Sequence, residues 1–131
     1  MLDRIDLHIE VPTLNARELT HLEPGESSEK IRARVLAARD RQLHRFRGRS
    51  GLFANAHLSS RDIREFCAVD DACISLLKSA VHKLGLSARA YHRILKLART
   101  IGDLDASESI APAHIAEAIQ YRSLDRRPIY D

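Results

Sequence analysis

Between Asp71 and Gly85 the apolar residues Cys73, Leu76, Leu77, Ala80, Val81 and Leu84 recur at three- and four-residue spacing, the period of one helix face. Asp71 opens this segment and Gly85 supplies a C-terminal stop. The same period governs most of the chain downstream of Gly85. Ser87 is placed to cap a helix over about 88–102, with Tyr91, Ile94, Leu95, Ala98 and Ile101 facing inward and Arg89, Arg93, Lys96 and Arg99 on other faces. Pro112 begins a last helix to about Tyr121 that buries Ile115, Ala118 and Ile119. Upstream, Ser27 or Ser28 caps a long basic helix to about Phe46, whose apolar stripe is thin: Ile31, Val35, Leu36, Leu43 and Phe46. Gly48–Leu58 breaks the pattern, and Ser59-Ser60-Arg61-Asp62 has the form of a capping box for a short helix to about Phe66. A mainly α fold, a helical bundle with an aliphatic core, is the expectation.

One segment departs from this period. Residues 5–11, Ile-Asp-Leu-His-Ile-Glu-Val, alternate apolar and polar up to Pro12, the pattern of a half-buried strand. No second strand pattern exists to pair with it, and a lone strand satisfies neither its backbone nor its apolar face. Its sheet is therefore expected in a segment upstream of this chain. Without that sheet, residues 5–11 should dock irregularly, be disordered or pair with another chain. Residues 12–27, with Pro12, Pro24 and Gly25, read as a connecting loop with a short helical turn near Ala16–Leu19. The expected organisation is residues 1–27 as strand and linker, 28–123 as the helical bundle, and 124–131 as a flexible tail.

At 131 residues the chain suits one domain. No apolar run approaches the roughly 20 residues that span a bilayer, and the N-terminus lacks a signal-peptide core, so a cytoplasmic location and no membrane partner are expected. Cys67 and Cys73 sit in an apolar helical pattern without zinc-ligand spacing and read as reduced core residues. The seven histidines are scattered without a ligand set, so no metal site is expected.

Charge is distributed unevenly. Lys30, Arg32, Arg34, Arg39, Arg41, Arg45, Arg47 and Arg49 face one acid, Asp40, making this window +7 in a chain whose net charge is only +3. Such a stripe suits phosphate, of nucleic acid or of nucleotide, and equally suits a solvated helix face.

Particular strings carry more than periodicity does. Leu2-Asp3-Arg4-Ile5-Asp6-Leu7-His8-Ile9-Glu10-Val11 resembles the end of the ATPase core in magnesium-chelatase-like AAA+ proteins of the ComM/YifB type, where the strand leads out to a helical lid. Leu84-Gly85-Leu86-Ser87-Ala88-Arg89-Ala90-Tyr91-His92-Arg93-Ile94-Leu95-Lys96-Leu97-Ala98-Arg99-Thr100 resembles the second lid helix of that family. Ile115-Ala116-Glu117-Ala118-Ile119-Gln120-Tyr121-Arg122, Asn55-Ala56 and the Arg-rich helix extend the resemblance over nearly the whole chain.

The resemblance implies the C-terminal lid of a hexameric ATP-dependent DNA motor like the branch-migration helicases of bacterial transformation. The implied partners are the ATPase core, neighbouring subunits and DNA; ATP and Mg²⁺ are the implied cofactors of the longer protein. It assigns Arg4 as an arginine finger acting in trans, against the simpler alternative of an arginine paired with Asp3 or Asp6. Arg89, at a helix start, matches the family's sensor arginine, in cis or in trans, and Arg93 is a second candidate on that surface. The phosphate-binding loop Gly-x4-Gly-Lys-[Ser/Thr] and an acidic Mg²⁺-holding strand motif have no match in this sequence, so the chain alone is expected neither to bind ATP tightly nor to hydrolyse it. Two alternatives stand beside this reading: an ATP-independent nucleic-acid-binding helical domain acting through residues 30–49, and the lid of a magnesium chelatase motor subunit.

Overall fold

The computed structural model describes residues 5–13, 15–20 and 25–122. Six α-helices make up the described fold: α1 (Ala16–Thr20), α2 (Ser28–Arg45), α3 (Ser60–Phe66), α4 (Asp71–Leu84), α5 (Ala88–Leu104) and α6 (Pro112–Gln120), with a single 3₁₀ turn at Asn55–His57. The mainly α lid-type bundle expected from the sequence is what forms.

Local signals set the helix ends. Ser27, Ser59, Asp70 and Ser87 are extended N-cap residues whose side-chain oxygens accept a backbone N–H two or three residues into α2, α3, α4 and α5. At α3 the box is reciprocal, with the Asp62 carboxylate accepting the Ser59 N–H at 3.0 Å. Gly85 ends α4 in the left-handed region at φ 62°, its N–H donating to the Val81 carbonyl at 2.9 Å. α6 starts without a side-chain cap from Ala111; the His114 Nδ1 instead accepts the Ala111 N–H at 2.9 Å.

α5 is the central element. α6, α2, the 3₁₀ turn and α3 all pack against it, while α4 is held chiefly by α6. Leu77, Ile94, Ile115, Ala98 and Ala118 are essentially inaccessible, and Phe46, Leu58, Ile63 and Cys67 close the core from the α2–α3 side. Phe46 meets Phe66 edge to face with ring centroids 5.0 Å apart. Cys67 and Cys73 are free and buried within this core, and burial pushes the Cys67 thiol up to about 11. Among the described residues no helix is long and apolar enough to cross a membrane.

Three features differ from the periodicity reading. The apolar stripe of α2 does not pack: Ile31, Val35, Leu36 and Leu43 are all exposed, and only Phe46 of the five is buried. The helix engages the bundle through Ala38, Gln42, Arg45 and Phe46, on its C-terminal half. At 100° per residue these four share one face with Ile31 and Val35, so the N-terminal turns carry the contact face past the edge of the body. In α4, Leu76 lies at the rim of the core rather than inside it. Arg99, expected on an outer face of α5, is 6% exposed. α6 and α2 cover different sides of α5, so its buried arc is wider than its apolar stripe.

Residues 5–11 adopt no strand, because no second strand lies beside them among the described residues. The segment docks irregularly. The His8 N–H donates to the Tyr121 carbonyl at 2.8 Å, Arg122 donates to the Ile5 carbonyl, and Asp6 pairs with Arg93. Ile5, Leu7, Ile9 and Val11 remain exposed. The tail at 124–131 lies outside the described residues.

Candidate functional site

Behind the outer surface of α5 a buried polar network fixes its relation to α2 and the 3₁₀ turn. Asp103, on the last turn of α5, is 2% exposed, and both its oxygens receive the Arg45 guanidinium. Asn55 is satisfied on every side. Its Nδ2 donates to Asp103 Oδ2 at 2.9 Å and to Thr100 Oγ1 at 3.0 Å, its Oδ1 accepts from Arg45 at 3.2 Å, and its backbone N–H donates to Gln42 Oε1 at 2.9 Å. Arg99 adds a second cation 3.6 Å from Asp103 and donates to the Glu108 carbonyl at 2.9 Å. Asn55 and the Asp103 carboxylate are fully paired while the buried Arg99 Nε has no hydrogen-bond partner, and the Asn55, Asp103 and Arg45 contacts tie the three elements together.

On the other side of that network lies a cleft of about 820 Å³ between α5, the start of α3 and the 3₁₀ turn, with Asp6 and Leu7 along one edge. Arg89, Arg93 and Lys96 line it from one face of α5, where positions i, i+4 and i+7 fall in a row. Among the described residues, Asp6 is the one acidic residue in the lining. His92 reaches Ser60, with Nδ1 and Oγ 3.3 Å apart. The Lys96 ammonium lies 3.4 Å from the Ala56 carbonyl, and its pKa is lowered by partial burial first and by the charge of Arg93 second. Arg89 is exposed at the first turn of α5, and among the described residues no hydrogen bond or ion pair engages its guanidinium. The arrangement can hold anionic oxygens. Ser60 stands beside His92 there, and among the described residues no carboxylate hydrogen-bonds to His92 to orient it as a base.

The structure therefore brings Arg89 and Arg93 together and adds Lys96, His92 and Asp6, which the sequence reading did not single out. Lys96 was legible from its seven-residue spacing to Arg89. Asp6 was not, since its partner lies 87 residues away. Arg4 lies outside the described residues.

The eight cations of the basic window do not form one face. Arg45 is turned inward against Asp103, and Arg49 bridges Asp62 at 3.3 Å and Glu65 at 2.6 Å while its guanidinium stands 5.1 Å over the Phe66 ring. Arg34 pairs with Glu26, and Arg39 donates to Gln42 at 3.4 Å. Lys30, Arg32 and Arg47 are exposed and Arg41 is half-buried. Along α2, Lys30, Arg34 and Arg41 fall on one side and Arg32 and Arg39 on another, as the helical period dictates. Among the described residues no group of three or more His, Cys, Asp or Glu side chains is gathered where a metal ion could be held.

A helical bundle organised on α5, with a cationic row at the start of that helix, defines a lid-type module. The chain belongs to the family described as magnesium chelatase, subunit ChlI C-terminal, whose profile matches residues 25–122. It is 44% identical over 126 residues to the Competence protein ComM of Haemophilus influenzae, an alignment that covers 95% of this chain and 24% of that protein. It is 43% identical over 130 residues to the uncharacterized protein YifB of Escherichia coli, covering 98% of this chain and 25% of YifB. The uncharacterized protein Rv2897c of Mycobacterium tuberculosis is 30% identical over 127 residues, 97% of this chain and 25% of that one. The chain thus spans about a quarter of the length of the curated relatives it matches.

Proposed function

We propose that the chain is the helical lid of a longer, hexameric AAA+ ATPase that drives DNA branch migration, with Arg89 meeting nucleotide phosphate and Arg4 acting as an arginine finger on a neighbouring subunit. The observation that carries this reading is Arg89 itself: an exposed guanidinium without a partner among the described residues, heading a cationic row over a cleft. A permanently charged planar fork of this kind suits phosphate oxygens. Likeness to a competence protein favours the DNA motor over a chelatase lid. ATP and Mg²⁺ are the cofactors of the longer protein in this reading. The cationic cleft fits the phosphates, and the described residues offer no acid cluster for the metal. The lid contributes positive charge and position, and the phosphate-binding loop and the motor's assembly belong to the rest of the protein. Turnover of the full-length protein carrying Arg4→Ala tests the finger: kcat should fall by about 10³–10⁵ with nucleotide affinity little changed, as for loss of a finger in NTPases. Normal turnover in an assembled oligomer would remove that role.

A second reading, DNA binding without ATP, is favoured by the solvent-exposed Lys30, Arg32 and Arg47 alone, since Arg45 is turned inward against Asp103 and Arg49 is paired at the surface with Asp62 and Glu65. DNA affinity of this chain falling steeply with rising salt would support it.

A further inference from the structure

The cleft on α5 holds a carboxylate of the chain's own. Asp6 pairs with Arg93 from a segment that is not part of the bundle, and among the described residues it is the acid that lines the cleft with Arg89, Arg93 and Lys96. We propose that Asp6 is an internal stand-in for a phosphate group, and that a linear polyphosphate, the triphosphate moiety of a nucleotide, enters the cleft by displacing the Asp6 carboxylate from Arg93. The proposal rests on the reading of Arg89 as a phosphate sensor and adds the regulation of that site.

Three observations carry it. The first is excess charge: among the described residues neither Arg89 nor Lys96 is paired with an acid, and the Lys96 ammonium is disfavoured both by partial burial and by Arg93. The second is length. From Arg89 to Lys96 the row advances about 10 Å at 1.5 Å per residue, so a chain of phosphates spans it where a single one does not. The third is how little holds Asp6 in place. Its side chain is 61% exposed, and an ion pair so open to water is weak enough for a multivalent anion to replace. Displacement needs no rearrangement of the bundle. Ile5 and His8 on either side are pinned to the end of α6 through Arg122 and Tyr121, so the Asp6 side chain turns outward while its backbone stays.

The test is titration of this chain with inorganic tripolyphosphate at constant ionic strength, followed by heteronuclear NMR, for wild type, Asp6→Asn and Lys96→Ala. In wild type the signals of Asp6, Arg89, Arg93 and Lys96 should move while the His8 amide stays. Asp6→Asn should bind about two- to five-fold more tightly, the factor that the strength of an exposed ion pair allows. Lys96→Ala should bind more weakly. Equal or weaker binding by Asp6→Asn overturns the displacement, as does a response confined to Lys30 and Arg32 on α2. Binding of a single-stranded oligonucleotide in the cleft with no response to tripolyphosphate overturns it in favour of nucleic acid. If no variant binds, the inference fails by itself, because the role of Arg89 is judged separately by turnover of the full-length protein.

Discussion

The Asp103 carboxylate takes both terminal nitrogens of Arg45, at 3.0 and 2.5 Å, across 58 residues of sequence. This pair joins the end of α2 to the end of α5, and Asn55 and Thr100 extend it to the floor of the cleft. Its side chains are 16% and 0% exposed, so solvent screens it little. Asp103→Ala leaves Arg45 and Arg99 without their shared counter-charge, and a loss of about 3–5 kcal/mol in urea unfolding is expected. A loss below about 1 kcal/mol would mean that water reaches the network.

Leu77 and Leu76 are neighbours in sequence with opposite surroundings, at 1% and 36% exposure. Leu77→Ala should cost about 2–5 kcal/mol, the range for emptying a core site. Leu76→Ala should stay within roughly 1 kcal/mol. Comparable costs for the two would misplace the face of α4.

Ala106 holds a left-handed backbone at φ 55° just past the end of α5, where Ser107 N–H closes back on the Gly102 carbonyl at 2.8 Å. A Cβ in that region costs roughly 1–2 kcal/mol, partly offset by the greater unfolded-state freedom of glycine. Ala106→Gly should therefore raise the unfolding free energy, by about 0.5–1 kcal/mol net. No change in Tm would show that the turn does not carry this strain.

Asp62 closes the capping box of α3 and Asp70 is the N-cap of α4, and backbone hydrogen bonds from Ser59 and Cys73 respectively hold both carboxyls below their ordinary value of 3.8. A depressed folded pKa means the unfolded chain takes up protons first. The stability these caps contribute is thus complete above 3.8 and is lost as pH falls through the lower folded values. Asp70→Asn keeps a competent cap but removes the titration. Its acid unfolding curve should be shallower below pH 3.8 than that of wild type, and superimposable curves would exclude the effect.

The contrast between what was and was not legible in the sequence comes from range. Caps act over three residues, so Ser27, Ser59 with Asp62, Ser87, Gly85 and Pro112 announced the helix ends. The family strings placed Arg89 and Arg93, and the helical period puts Lys96 on their row. Nothing local distinguished Arg45 from Arg41 or Arg47, because the partner of Arg45 lies 58 residues away. The stripe of α2 misled for a related reason: periodicity reports which residues share a face, not where the opposing body stops. Ile31 and Val35 share the face of Ala38 and Gln42 yet project beyond α5. Arg122, fully buried against residue 5, was likewise hidden by its charge.

The proposed reading of nucleotide phosphate by Arg89 is tested by ATP turnover and DNA unwinding of the full-length protein carrying Arg89→Ala, measured on assembled oligomers. Arg89 is exposed and without a partner among the described residues, so the melting of the present chain should change by no more than about 0.5 kcal/mol equivalent. Turnover and unwinding should fall together. Wild-type turnover from assembled Arg89→Ala oligomers would leave Arg89 a surface residue with no part in nucleotide sensing.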